Sequence, residues 1–169
     1  LLEAKNNLHK FFFALEESNG YLSDPFVRDK DGITSGLLFA KMAALYKSNG
    51  VTFEKKLKEI YEKYGFEMDV TDNFYFKGHK GEARISKIMD YFRNSITHRI
   101  GPFKIKKATD FLEETGLPKS NVLMYDMENG KRFVIRPSGT ELKIKIYYFG
   151  TNIEQLKNEI KKIIGFVQY

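Results

Sequence analysis

Residues 143 to 149 alternate between two kinds of side chain along the sequence. A period of two predicts a β-strand with one face buried and the opposite face exposed to water. Such a strand needs neighbouring strands to pair with and a layer of helices to cover its apolar face. One face carries Ile144, Ile146 and Tyr148, and the other carries Lys143, Lys145 and Tyr147.

The segments around this strand predict the rest of an α+β domain. Apolar residues recur at helical spacing from Gly81 to Ile96, and a final helix follows Thr151, where Thr151 and Glu154 form a capping box. Between them, Asn129-Gly130 predicts a tight hairpin turn. The order helix, strands, helix indicates helices packed on one face of an antiparallel sheet. The further predicted strands are residues 103–109, 121–126 and 133–135.

The first 65 residues show a different pattern, and we place a domain boundary near Gly65. The apolar run from Phe11 to Leu15 predicts a buried strand. Helices are predicted from Thr34 to Lys47 and from Thr52 onward, with Gly65 ending the second helix. The chain therefore divides into residues 1–65 and residues 66–169.

Composition limits the possible environments of the protein. There is no cysteine, which excludes disulfides and thiolate chemistry and fits a reducing cytoplasm. No apolar run is as long as a membrane span, so we expect a cytoplasmic protein without a membrane partner. The net charge of +6 suits an anionic ligand, but lysines interleaved with glutamates are also typical of a solvated helix face.

The segment Arg136-Pro137-Ser138-Gly139-Thr140-Glu141 carries the strongest chemical signal. It lies between two predicted strands, and its residue types suit a phosphate dianion. The guanidinium of Arg136 can hold two phosphate oxygens, while Ser138 and Thr140 supply hydroxyl donors. Gly139 allows close approach of the backbone and can adopt a conformation that points successive amides at an anion. The spacing differs from that of the nucleotide P-loop.

Residues 136–147, RPSGTELKIKIY, resemble the C-terminal phosphate-binding loop of the α-D-phosphohexomutases, the phosphoglucomutase and phosphomannomutase family. That loop normally reads Arg-x-Ser-Gly-Thr-Glu-Pro-Lys, and Leu142 stands where the family has proline. The resemblance implies that Arg136, Ser138, Gly139 and Thr140 bind the substrate phosphate.

Two upstream segments are similar to the same family. Leu15-Glu16-Glu17-Ser18, followed by Gly20-Tyr21, resembles the sugar-binding loop, which implies that Glu16 and Ser18 bind sugar hydroxyls. The stretch that ends in Lys30-Asp31-Gly32 resembles the next family segment, in which Lys30 matches a lysine of the active cleft.

The resemblance implies that the chain is the C-terminal part of a phosphosugar mutase. Residues 1–65 would close an α/β sugar-binding domain, the third of the family, and residues 66–169 would form the fourth, phosphate-binding domain. The whole enzyme would interconvert hexose 1-phosphate and hexose 6-phosphate, or the matching pentose phosphates. It would use a phosphoserine, a bisphosphate intermediate, Mg²⁺ and a glucose 1,6-bisphosphate-type activator.

The sequence lacks two of the family's motifs. It contains neither Ser-His-Asn-Pro, which carries the phosphorylated serine, nor Asp-Gly-Asp-Gly-Asp, which binds magnesium. We therefore expect no catalytic residue and no metal ligand in this fragment, and no activity without the N-terminal domains of the same protein.

An alternative of a different class is a basic α+β module that binds nucleic acid through Lys143, Lys145 and Tyr147. Its affinity would fall steeply with salt. A single alternating Lys-Ile strand is, however, typical of any half-solvated sheet, so we expect no nucleic-acid partner.

Overall fold

The computed structural model describes residues 10–16, 20–27 and 29–167. The chain separates into two compact units, Leu1–Gly65 and Phe66–Tyr169. None of the helices in these described ranges combines the length and the apolar character that crossing a bilayer requires.

The first unit contains a short hairpin and two helices. Strands β1 (Ala14–Glu16) and β2 (Gly20–Leu22) pair antiparallel, and helices α1 (Gly32–Ser48) and α2 (Phe53–Tyr64) follow. Both helices begin at side-chain caps: Asp31 accepts hydrogen bonds from the first-turn amides of α1, and Thr52 does the same for α2. Gly65 ends α2 with a φ of 87°, as the sequence predicts.

The predicted buried strand in residues 11–15 is wrong in position and in burial. Strand β1 begins at Ala14, and its Leu15 is 69% exposed, while Phe12 before it is 91% exposed. Within the described residues β1 pairs only with β2, so the hairpin forms a two-stranded sheet.

The second unit is built on a six-stranded antiparallel sheet, which confirms the predicted α+β class. The spatial order of its strands is β3-β8-β7-β6-β5-β4, and every neighbouring pair is antiparallel. The strands are β3 (Met68–Tyr75), β4 (Arg99–Ile100), β5 (Phe103–Asp110), β6 (Leu123–Met127), β7 (Arg132–Pro137) and β8 (Lys143–Gly150), and the helices are α3 (Gly78–Ser95) and α4 (Glu154–Phe166).

The core lies between one face of this sheet and the two helices. The alternation in β8 is confirmed, because Ile144, Ile146 and Tyr148 are completely buried. They belong to one apolar cluster that includes Phe92 of α3 and Ile160 of α4. Since both helices contribute to this cluster, they cover the same side of the sheet, and the opposite side of the strands carries the half-buried and polar residues.

Two local predictions differ from the structure. The capping box at Thr151 and Glu154 does not form, because Asn152 adopts a positive φ of 52° and α4 begins only at Glu154, where Ile153 makes no side-chain cap. Strand β3 was not predicted, since its irregular alternation hides the pairing with β8 that holds it at the sheet edge.

Candidate functional site

Arg136 lies on the face of the sheet that α3 and α4 leave uncovered. Its neighbour Ile135 is completely buried on the core side, so the arginine points to the opposite side of β7. The register places Arg136 directly across from Lys145 of β8. Two cationic side chains therefore face each other beside the loop that joins β7 to β8.

The guanidinium of Arg136 has a buried nitrogen without a partner. Its Nε is shielded from solvent and makes no hydrogen bond within the described residues. A buried donor of a charged group is costly when it has no hydrogen-bond partner. An anion bound beside Arg136 would relieve this cost.

Backbone hydrogen bonds fix the ends of the β7–β8 loop. The amide of Ser138 donates to the carbonyl of Lys143 at 2.8 Å, and the amide of Thr140 donates to the Ser138 hydroxyl at 3.4 Å. Lys143 forms an ion pair with Glu141. The loop is thus closed by its own contacts, while Thr140 and Gly139 remain exposed at its tip.

Gly139 contributes open space rather than an unusual backbone conformation. A Cβ placed on it would meet no heavy atom within 4 Å, and its φ lies outside the left-handed region. Of the two roles considered for this glycine, close approach of a ligand to the backbone is therefore the one that its geometry allows.

Glu16 and Lys30, predicted in separate segments, form an ion pair at 2.6 Å between Oε2 and Nζ. Their side chains are 37% and 55% exposed. Lys30 reaches the carboxylate by crossing over Gly20, where an added Cβ would lie 2.2 Å from Lys30 Cδ. Ser18, the other predicted sugar-binding residue, lies outside the described residues.

The segment that carries Lys30 is held on both sides. The Asp31 amide donates to the Tyr21 carbonyl at 2.8 Å, which ties it to β2. The Asp31 carboxylate caps α1, and its hydrogen bonds with Thr34 and then with the Ile33 amide lower the pKa of that carboxyl. Lys30 is therefore fixed between a strand and a helix start.

The structure thus groups the predicted residues into two sets. Arg136 lies near the end of β7, next to the loop that carries Ser138, Gly139 and Thr140, in the second unit. Glu16 and Lys30 meet in the first unit. The sequence did not indicate that Lys145 lies beside Arg136. The alternation in residues 143–149 placed Lys145 on the exposed face of the strand. Only the strand register shows that Lys145 faces Arg136.

The described part of the chain offers no ligand set for a metal ion. No group of three or more His, Cys, Asp or Glu side chains is gathered there in a way that could hold an ion. The residues of the two sets above therefore do not fit a magnesium centre.

Comparison with known proteins identifies the same family in both units. The model of "Phosphoglucomutase/phosphomannomutase, alpha/beta/alpha domain III" matches residues 2–64. A phosphoglucomutase of Staphylococcus saprophyticus is 36% identical over 156 residues, which cover 85% of this chain and 28% of the relative. A phosphoglucomutase of Staphylococcus haemolyticus is 32% identical over 174 residues, covering 96% of this chain and 31% of the relative.

A solved structure shares the fold. The open form of the exocytosis-sensitive phosphoprotein pp63/parafusin, a phosphoglucomutase from Paramecium, matches with a TM-score of 0.62 at 19% identity. The match covers 98% of this chain and 32% of that structure. The chain thus spans about a third of the proteins that it matches. It belongs to the α-D-phosphohexomutase family and corresponds to the family's C-terminal portion.

Proposed function

We propose that this chain is the phosphate- and sugar-binding part of a phosphosugar mutase. The enzyme would interconvert hexose 1-phosphate and hexose 6-phosphate, or the corresponding pentose phosphates, in the cytoplasm. The observation that carries the proposal is the buried Nε of Arg136, which has no hydrogen-bond partner in the described part of the chain. It lies on the sheet face that the helices leave uncovered, opposite Lys145. This arrangement favours an anion at the β7–β8 loop.

In this proposal the loop holds the phosphate that does not react. Arg136 offers a planar pair of donors to two phosphate oxygens, and Lys145 adds positive charge from the neighbouring strand. The hydroxyls of Ser138 and Thr140 donate to the remaining oxygens, and the space above Gly139 lets the anion approach the backbone amides.

Holding one phosphate positions the other end of the sugar for reaction. A mutase that works through a phosphoserine and a bisphosphate must bind its substrate in two orientations, and one loop can grip the non-reacting phosphate in each. Such positioning lowers the barrier because the entropy cost is met on binding. We assign the phosphorylated serine and the Mg²⁺ ligands to the rest of the protein, and a glucose 1,6-bisphosphate-type activator to the complete enzyme.

We propose that Glu16 and Ser18 bind sugar hydroxyls and that Lys30 belongs to the same active cleft. A carboxylate can accept hydrogen bonds from two adjacent hydroxyls, and a serine adds a donor. The ion pair with Lys30 holds the Glu16 carboxylate in one orientation, ready for such a contact.

The nucleic-acid alternative is less favoured by the same geometry. Lys143 has a side chain that is only 12% exposed and is paired with Glu141, which makes it a poor contact for a phosphate backbone. Two of the three residues on which that alternative depends, Lys143 and Lys145, are accounted for by the ion pair and by the proposed anion site.

An arginine substitution tests the phosphate site. We expect Arg136→Ala to weaken binding of inorganic phosphate to the 169-residue chain about tenfold to a hundredfold, because a charge-assisted hydrogen bond contributes roughly 1.5–3 kcal/mol. Isothermal titration calorimetry measures the dissociation constant, and thermal unfolding with and without phosphate gives an independent value.

The matched control is Arg132→Ala. Arg132 lies on the same strand and the same face, but it is paired with Asp126 at 2.6 Å. Its loss should leave phosphate affinity nearly unchanged. Equal effects of the two substitutions, or none from Arg136→Ala, would place the anion site elsewhere.

A further inference from the structure

Gly81 is a buried glycine in the first turn of α3, where helix propensity alone would favour alanine. It has no positive φ that would require glycine. The space around it supplies the reason instead. A Cβ on Gly81 would lie 3.0 Å from Phe76 Cβ and 3.3 Å from the Phe76 carbonyl carbon. Both atoms are close to the main chain, so they move only if the backbone at Phe76 moves.

Phe76 is held firmly on its other sides. Its ring packs against the core and lies under the guanidinium of Arg84, 5.4 Å from Arg84 Cζ to the ring centroid. Arg84 is itself anchored, because it donates to the carbonyls of Ile164 and Val167 at the end of α4 at 3.1 and 3.2 Å. Phe76 therefore cannot move without disturbing its contact with Arg84.

The backbone of Phe76 is also joined to the β7–β8 loop. Its amide donates to the carbonyl of Leu142 at 2.8 Å, one residue beyond Tyr75 and Lys143, the last pair in the register of β3 and β8. Leu142 lies between Glu141 and Lys143, whose backbone groups are bonded to each other at 2.8 Å. A shift of Phe76 is thus passed directly to the loop.

We propose that Gly81 is a positioning residue for the phosphate loop, acting through Phe76 and Leu142. The proposal rests on the proposed phosphate-binding function of that loop. Glycine at position 81 lets α3 approach the end of β3 closely enough to hold Phe76, and Phe76 then sets the carbonyl of Leu142 and the exit of the loop. The glycine serves anion affinity rather than the stability of its helix.

The test is Gly81→Ala in the 169-residue chain. We expect a folded protein whose dissociation constant for inorganic phosphate rises about tenfold, equivalent to about 1.4 kcal/mol. The melting temperature without phosphate should change little, because the higher helix propensity of alanine offsets the local strain. The amide NMR signals of residues 138–143 should shift in the phosphate-free variant.

Gly165→Ala is the matched control, since Gly165 also lies in a helix and an added Cβ would meet nothing within 4 Å. It should alter neither the affinity nor the loop signals. Unchanged phosphate affinity in folded Gly81→Ala protein would overturn the proposal, and so would loss of folding, which would assign the contact to the fold. If the unsubstituted chain binds no phosphate, the proposed function fails, while the NMR comparison still decides whether Gly81 positions the loop.

Discussion

At the scale of single residues, the pair of Glu16 and Lys30 contributes more to orientation than to stability. Both side chains are over a third exposed, and ion pairs of this kind add only about 0.2–1 kcal/mol to folding. The close crossing of Lys30 over Gly20 instead fixes where the carboxylate points. This is the property that recognition of a sugar ring requires, because two adjacent hydroxyls must meet one carboxylate in a defined geometry.

We expect Glu16→Ala in the complete mutase to lower kcat/KM, because buried sugar hydroxyls would lose a charged acceptor. The lost transition-state stabilisation should be roughly 2–4 kcal/mol. Steady-state kinetics with the sugar phosphate measures this loss. Glu59→Ala is the control, since it removes a similarly exposed carboxylate that pairs with Lys56 at 2.9 Å. A Glu16→Ala enzyme with the unsubstituted kcat/KM would show that other residues recognise the sugar.

At the scale of secondary-structure elements, one arginine links α3 to two strands. Arg93 donates to Asp110 at the end of β5 at 2.6 Å and to Asn121 just before β6 at 2.8 Å. Burial raises the pKa of Asp110, but the hydrogen bonds from Arg93 and from the Leu112 amide outweigh it and hold the pKa below its usual 3.8. The charged form of Asp110 is therefore favoured by folding.

This depressed pKa predicts a stability contribution that is present above pH 3.8 and lost as the pH falls below that value. We expect Asp110→Asn to lower the melting temperature at neutral pH and to reduce the loss of stability on acidification. Circular dichroism melts from neutral pH to about pH 2.5 measure both effects.

Asp90→Asn is the control for this link. Asp90 contacts the same arginine at 3.6 Å, but its side chain is 65% exposed, so the substitution should change stability by less than about 0.5 kcal/mol. Identical acid melting of Asp110→Asn and the unsubstituted chain would contradict the assignment.

Helix α1 leaves several large apolar side chains exposed to solvent. It is apolar on several sides, and its exposed side chains include Ile33 at 85%, Leu37 at 56% and Phe39 at 59%. A helix that is apolar around most of its circumference is normally enclosed by other elements. The described residues of the first unit do not enclose it, which agrees with a chain that spans about a third of its relatives.

At the scale of the whole molecule, we expect the 169-residue chain to bind phosphate without mutase turnover. Positioning alone cannot replace a phosphoryl donor, and neither the serine motif nor the aspartate motif of the family occurs in the sequence. A coupled assay for glucose 6-phosphate formation from glucose 1-phosphate checks this expectation. Clear turnover by the purified chain, free of host mutase, would contradict the assignment of its domains.

The sequence by itself determined the features that depend on near neighbours. The alternation in residues 143–149 identified the buried face of β8, and the helix predicted from Thr52 to Gly65 matches α2. The string RPSGTE identified the loop and its family. These features follow from side-chain period, backbone conformation and residue chemistry, which act over a few residues.

Only the tertiary structure decided which distant residues meet. Sequence periodicity put Lys145 on the open face but could not place it across from Arg136, because register depends on which strands pair. It likewise missed β3, whose paired residues in β8 lie 68 to 82 positions further along the chain. The approach of Lys30 to Gly20 and of Gly81 to Phe76 depends on how elements pack. Close approach is a property of packed surfaces, and no local pattern of residues encodes the distance between them.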